Sequence, residues 1–244
     1  MKIVLASAPV KTGDVTYNLQ QITTTLAAHS GKADLVVFGE SVLQGFDCLC
    51  WDYARDSQVA VSLTDKPIRQ LQAAARENRI GVAFGFVQRQ ENHLYSSYLF
   101  LGADGTMVNL FHRVSQGWKE YTRTDDHYRE GEKFQVFSYG GKTFATGLCG
   151  DLWTEGRPEE MRRLNPDIVL WPVWCDYNAK EWNGEIKQEY AAQAELCGKT
   201  VLLVNPYCAD DTPNCAEGGS ACFRGGKIIQ ELPAGKPGYL IAEI

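Results

Sequence analysis

The sequence has no CxxC pair, although eight cysteines lie among its 244 residues, at 48, 50, 149, 175, 197, 208, 215 and 222. Neither a zinc ribbon nor a dithiol redox site is spelled out, and Cys48 and Cys50 form only CxC. Cysteines this sparse in a chain this long do not make a disulfide scaffold. The four histidines, at 29, 93, 112 and 127, lack metal-ligand spacing. GxGxxG is missing, as is any complete GxxxxGK[S/T] loop, so the common phosphate-cradling sequences are absent. No stretch approaches the roughly 20 apolar residues that a membrane span needs. The apolar run in MKIVLASAPV is too short for a signal peptide and reads as a first buried strand. No five like charges stand together, and 24 basic against 30 acidic residues give a net charge of −6. Nucleic acid and anionic membrane call for a basic face, so neither is an expected partner, and a reducing cytoplasm is the expected location.

What is present is ordinary globular composition, 44% hydrophobic and 22% charged, over a length that suits a single α/β domain spanning residues 1–244. Ile3 to Ala8 and Leu35-Val36-Val37-Phe38 are apolar runs of the kind covered on both faces. Between them Asp14 is placed to cap a helix carrying Leu19, Ile22 and Leu26 at helical spacing, stopped by Gly31. Asp65 and Pro67 open a second helix through Ile68, Leu71 and Ala75, and Ile80 to Val87 is the next strand. These are βαβ units, which imply parallel pairing. Asp104-Gly105 joins 94–101 to 107–112 as a hairpin, and Gly140-Gly141 joins 134–139 to 143–149. The pattern then repeats in outline: a short helix after Pro158, a strand at 168–171, a helix over 185–197, a strand at 201–204 and a hairpin over 221–232. Residues 113–132 and 206–218 are long irregular loops, which inside a compact domain are usually functional. The element order fits a four-layer α-β-β-α sandwich of two mixed sheets.

Three polar residues follow strands: Glu40 after LVVFG, Arg113 after MVNLFH and Cys149 after FATGL. Open α/β sheets place their sites at such strand ends. Singly, each has a bland explanation, as a solvated acid, a surface ion-pair partner and a small buried hydrophobe. Together they make chemical sense. Only a thiolate attacks well, and a helix start and a cation near Cys149 would both favour it. A carboxylate held against Val36, Val37 and Phe38 is desolvated, which suits a general base. A fixed cation would stabilise the oxyanion of a tetrahedral intermediate.

The order of glutamate, basic residue and cysteine resembles the nitrilase (carbon–nitrogen hydrolase) superfamily, as a bacterial-type amidase- or nitrilase-like member. VVFGESVLQGFD resembles its glutamate segment and GLCGDLWTEGRPE its nucleophile segment. DIVLWPVW, the helix around YAAQAE, LLVNP and EGGSACFRGGKII follow in the family's order. The resemblance implies Cys149 as nucleophile, Glu40 as general base and a thioester intermediate. It implies a small amide, N-carbamoyl compound or nitrile as substrate, no metal or organic cofactor, and a homodimer or larger assembly. In one place the sequence departs from the pattern: FHRVS puts Arg113 where the family has lysine and Ser115 where it has histidine. Arginine supplies charge but does not readily shuttle a proton. Lys119, six residues on in GWKEY, is the competing cation. In TDDHYREGE, Asp125 lies three residues before Tyr128, where relatives carry glutamate, with Glu120 as the alternative second acid. Tyr128 and Trp174 are expected to line the pocket.

Two readings compete. With arginine in the lysine position the fold could serve as a catalytically silent binding or scaffold protein, although that role needs neither Glu40 nor Cys149. A flavodoxin-like ligand-binding domain would account for the early βαβ units, but requires a phosphate loop the sequence lacks.

Overall fold

Alternation along the strands sorts the buried side chains into layers. Ile3 and Leu5 of Lys2–Ser7, Leu35 and Val37 of Leu35–Phe38, and Ala83 of Gly81–Gln90 share one core with Phe144, Val169, Trp171 and Leu203. Their neighbours Val4, Ala6, Val36, Phe38, Val82 and Phe84 share another with Ile22, Leu26, Ile68 and Leu71, which come from two helices. A period of two along a strand covered on both faces gives this result. The protein is described by a computed structural model covering residues 1–244.

Each of the two mixed sheets has six strands. The first runs Gly238–Glu243, Lys2–Ser7, Leu35–Phe38, Gly81–Gln90, His93–Leu101, Met107–His112. The second runs Val136–Tyr139, Lys142–Thr146, Ile168–Pro172, Thr200–Val204, Ser220–Arg224, Lys227–Leu232. In that order both follow one scheme: an antiparallel edge, two parallel steps, then two antiparallel steps. With helices on the outer faces this is the α-β-β-α sandwich.

The expected helices form at Val15–His29 and Lys66–Asn78. Asp14 caps the first by accepting from the Tyr17 N–H at 2.9 Å. Asp65 precedes the second but accepts from the Ser62 N–H at 2.8 Å rather than from the helix's first turn. Several elements were not foreseen. The strand Gly238–Glu243 pairs antiparallel with Lys2–Ser7, and of its short apolar run, residues 239–242, only Ala242 is buried. A seven-residue helix, Tyr53–Val59, buries only Asp56. Within the loop 206–218, Tyr207–Cys208 pairs parallel with Pro9–Val10. The helical turn expected near Pro158 is preceded by another, Cys149–Trp153, which begins on the cysteine itself.

Leu5 is fully buried between the sheets, whereas Ile241 on the edge strand is 44% exposed. Leu5→Ala is expected to cost about 2–5 kcal/mol and Ile241→Ala about 0.5 kcal/mol or less, as measured by urea unfolding.

Candidate active site

Glu40 leaves the strand Leu35–Phe38 and is held by backbone on two sides. Its N–H donates to the carbonyl of Val173, across to the second sheet, at 3.2 Å. Gly85 of the neighbouring strand approaches so closely that a Cβ there would stand 2.7 Å from the Glu40 Cα. The side chain is 1% exposed. Oε1 accepts from Ser96 Oγ at 3.1 Å and from Arg113 Nη1 at 2.8 Å. Oε2 is buried and has no partner.

Arg113 follows the strand Met107–His112, and its N–H donates to the Ser96 carbonyl at 2.8 Å. Its side chain is 4% exposed. Nε donates to Ser115 Oγ at 2.8 Å and Nη1 to Glu40, while Nη2 makes no hydrogen bond. Burial works against the charge, but Glu40, the Cys149 sulfur and Asp151 outweigh it and hold the guanidinium above its ordinary value. Arg113 lines a cavity of about 410 Å³ with Gly150, Thr154 and Arg157.

Cys149 carries a positive φ of 45°, a conformation that a residue with a side chain seldom adopts. Its Sγ lies 3.8 Å from the Trp174 carbonyl, and its own carbonyl accepts from Trp171 Nε1 at 2.9 Å. Beside it the buried thiol of Cys175 lies 2.9 Å from Tyr190 Oη. Contact with Cys149 and burial push the Cys175 thiol well above its ordinary value, so it stays protonated.

Asp151 joins the two arms of the site. Oδ1 accepts from the N–H groups of Val114 and Ser115 at 3.0 and 2.7 Å, and Oδ2 from that of Leu148 at 2.8 Å. One buried carboxylate therefore fixes the backbone after Arg113 against the backbone before Cys149. Burial raises its pKa to about 6, against the pull of Arg113 and these hydrogen bonds.

Of the residues expected from sequence, Glu40 and Arg113 are in contact, and the Cys149 arm is tied to the Arg113 arm through Asp151. The others engage different partners. The Lys119 ammonium donates to the Tyr128 carbonyl at 2.6 Å and pairs with Glu130 at 2.8 Å, so its charge is already met away from Glu40. Tyr128 gives its hydroxyl to buried Asp56 at 2.7 Å. Asp125 is exposed and closes onto His127, and Glu120 is exposed and accepts from Thr122. Trp174 packs with its ring stacked on Phe46 at 5.9 Å and donates Nε1 to the Asn214 carbonyl at 2.7 Å. Asn214 is in turn bound to Asp47, which stitches the loop 206–218 to the segment between Glu40 and the helix Tyr53–Val59. A second cavity of about 260 Å³ lies there, lined by Phe46, Leu49, Trp51, Trp118, Lys119 and Glu120, among others. The sequence gives no role to Ser96, Asp151 or Cys175, and names Ser115 only at the family's histidine position. No three His, Cys, Asp or Glu side chains are grouped to hold a metal ion, and no helix is long and apolar enough to cross a membrane.

The layered α-β-β-α fold with this site defines a class, and comparison with known proteins gives its family. Residues 2–208 match the carbon-nitrogen hydrolase family, and the chain belongs to it as an amidase- or nitrilase-like enzyme. An (R)-stereoselective amidase from Pseudomonas sp is 26% identical over 220 residues, covering 90% of this chain and 76% of the relative. A glutamine-dependent NAD(+) synthetase from Acinetobacter baylyi is 26% identical over 173 residues, 69% of this chain and 30% of the relative. In fold, the chain is similar to an amidase from Nesterenkonia sp. AN1, solved as a mutant with acrylamide added at its active-site cysteine. There the TM-score is 0.79 at 18% identity, covering 100% of this chain and 93% of that one.

Asp151 generates a prediction with a definite sign. Its folded value of about 6 lies above the ordinary carboxylate value of about 3.9. Between the two the folded state holds more protons, so this group's contribution to stability falls as pH rises through that window. Thermal unfolding from pH 4 to 7 should show that component in the wild type and not in Asp151→Asn. Asp151→Ala strands three buried N–H groups and should cost about 3 kcal/mol or more in urea unfolding.

Proposed function

We propose that this chain hydrolyses the non-peptide carbon–nitrogen bond of a small amide, with Cys149 as nucleophile, Glu40 as general base and Arg113 as the fixed cation. The observation that carries the reading is the buried ion pair with Oε2 of Glu40 left buried and without a partner, next to an Arg113 whose Nη2 makes no hydrogen bond beside Gly150. A buried polar atom without a partner is costly, and such atoms gather where a substrate supplies the missing contact.

Glu40 takes the thiol proton as Cys149 attacks the amide carbon, and the carbonyl oxygen becomes an oxyanion held by Nη2 of Arg113 and the N–H of Gly150. The intermediate collapses, the carbon–nitrogen bond breaks, and the amine leaves with the proton that Glu40 had taken. Water then gives a proton to Glu40 and adds to the thioester. The acid is released, and the proton returns to sulfur. Arg113 stays charged throughout, as a guanidinium must. This favours an amide, whose leaving nitrogen needs one proton that Glu40 can deliver, over a nitrile, whose nitrogen must gather protons before it leaves. Lys119, Glu120, Asp125, Tyr128 and Trp174 belong, in this reading, to the walls and outer approach rather than to the reacting atoms. The amidase relatives support the same substrate class.

Ammonia release from a panel of small amides, N-carbamoyl compounds and nitriles tests the reading. Amides are expected to turn over, Cys149→Ala to abolish turnover, and Cys197→Ala, in the core, to leave it within about twofold. Equal activity in both variants and the wild type would exclude Cys149 as nucleophile.

A further inference from the structure

Gly150 has no backbone reason to be glycine, because its φ lies outside the left-handed range. What demands glycine there is space. A Cβ at 150 would stand 2.7 Å from Arg113 Nη2, 3.5 Å from Ser115 Oγ and 3.8 Å from Arg113 Cζ. All three nearest atoms belong to the Arg113–Ser115 pair. The tip of an arginine ordinarily swings aside at little cost, but this one is fastened on its other edges, by Nη1 to Glu40 and by Nε to Ser115, each at 2.8 Å. The backbone has no slack either, since Asp151 ties Val114 and Ser115 to Leu148.

We infer that Arg113 and Gly150 form one unit: the wide guanidinium fits opposite the nucleophile only because residue 150 has no side chain, which makes Gly150 a positioning residue for the cation. The inference rests on the proposed role of Arg113. A lysine at 113 would end in a single ammonium and present nothing at the place of Nη2. The structure therefore couples the two positions: a side chain at 150 conflicts with arginine at 113 and fits with lysine there. A guanidinium pushed off its seat must release Glu40 or Ser115, which weakens oxyanion stabilisation more than ground-state binding.

A double-variant cycle on the full chain tests this with the best amide from the panel. Gly150→Ala is expected to lower kcat/KM tenfold or more, mostly in kcat. In the Arg113→Lys background the same substitution should cost at least fivefold less, a non-additivity that independent sites do not give. Equal costs in the two backgrounds, or no cost in the first, would overturn the unit. Crystal structures of Gly150→Ala and of Arg113→Lys/Gly150→Ala supply a readout that needs no turnover. The first should have Arg113 Nη1 displaced from hydrogen-bonding distance of Glu40, and the second should have the introduced ammonium seated beside an unmoved residue 150. An Arg113–Glu40 contact unchanged in Gly150→Ala would refute the inference. If the wild type hydrolyses no amide, the functional reading falls, and the structures alone decide the pair.

Discussion

A buried ion pair is the constraint on which this molecule turns. Glu40 and Arg113 meet at 2.8 Å with side chains 1% and 4% exposed. Taking two charges out of water costs several kcal/mol per ion, and mutual attraction offsets that only when further hydrogen bonds complete the shell. Here the shell is nearly complete. Ser96 serves Glu40 through its hydroxyl and Arg113 through its carbonyl, and Ser115 takes the guanidinium Nε. Oε2 of Glu40 is left buried without a partner and Nη2 of Arg113 without a hydrogen bond, and the proposed chemistry uses both. A pair satisfied on every side would be scaffolding; in the proposed mechanism this one keeps an acceptor and a donor in reserve where electrostatics act strongly.

Glu40 and Arg113, 73 positions apart, both leave strands of the first sheet, Leu35–Phe38 and Met107–His112, while Cys149 follows Lys142–Thr146 of the second. Each sheet follows the same scheme of strand directions, and packed face to face they bring strand ends together along a seam. Glu40 crosses that seam with its backbone, donating to Val173. Asp151 crosses between the Arg113 arm and the Cys149 arm. Gly85 and Gly150 mark where the chain needs contact closer than a side chain allows. The long loops then close around the outside, joined by Asn214 to Asp47 and by Tyr128 to Asp56.

How much of this could be read from sequence depended on how local each signal was. Leu35–Phe38, Ile168–Pro172 and Thr200–Val204 are buried along their whole lengths, so their apolar runs announced them, and the strand–polar residue pattern pointed to Glu40, Arg113 and Cys149. Gly238–Glu243 carries only a short apolar run at 239–242, and what makes it a strand is non-local, its pairing with the far end of the chain. Tyr53–Val59 escaped because what it buries is a carboxylate. Asp151 looked like any acid near a helix start, since its three donors are backbone groups and two of them lie in a distant loop. Arg113 and Lys119 could not be separated by spacing. In the structure Glu130 and the Tyr128 carbonyl already occupy the lysine, which supports the proposed role of Arg113.

The most direct test asks whether the buried pair acts on the sulfur. Native protein is treated with iodoacetamide, and labelling of Cys149, Cys50 and Cys215, all partly exposed, is followed residue by residue by mass spectrometry in the wild type and in Arg113→Met. Cys149 should label first in the wild type and lose its lead in the variant, while Cys50 and Cys215 keep their rates. Labelling of Cys149 at the same rate in both proteins, or no faster than Cys215 in the wild type, would contradict the account.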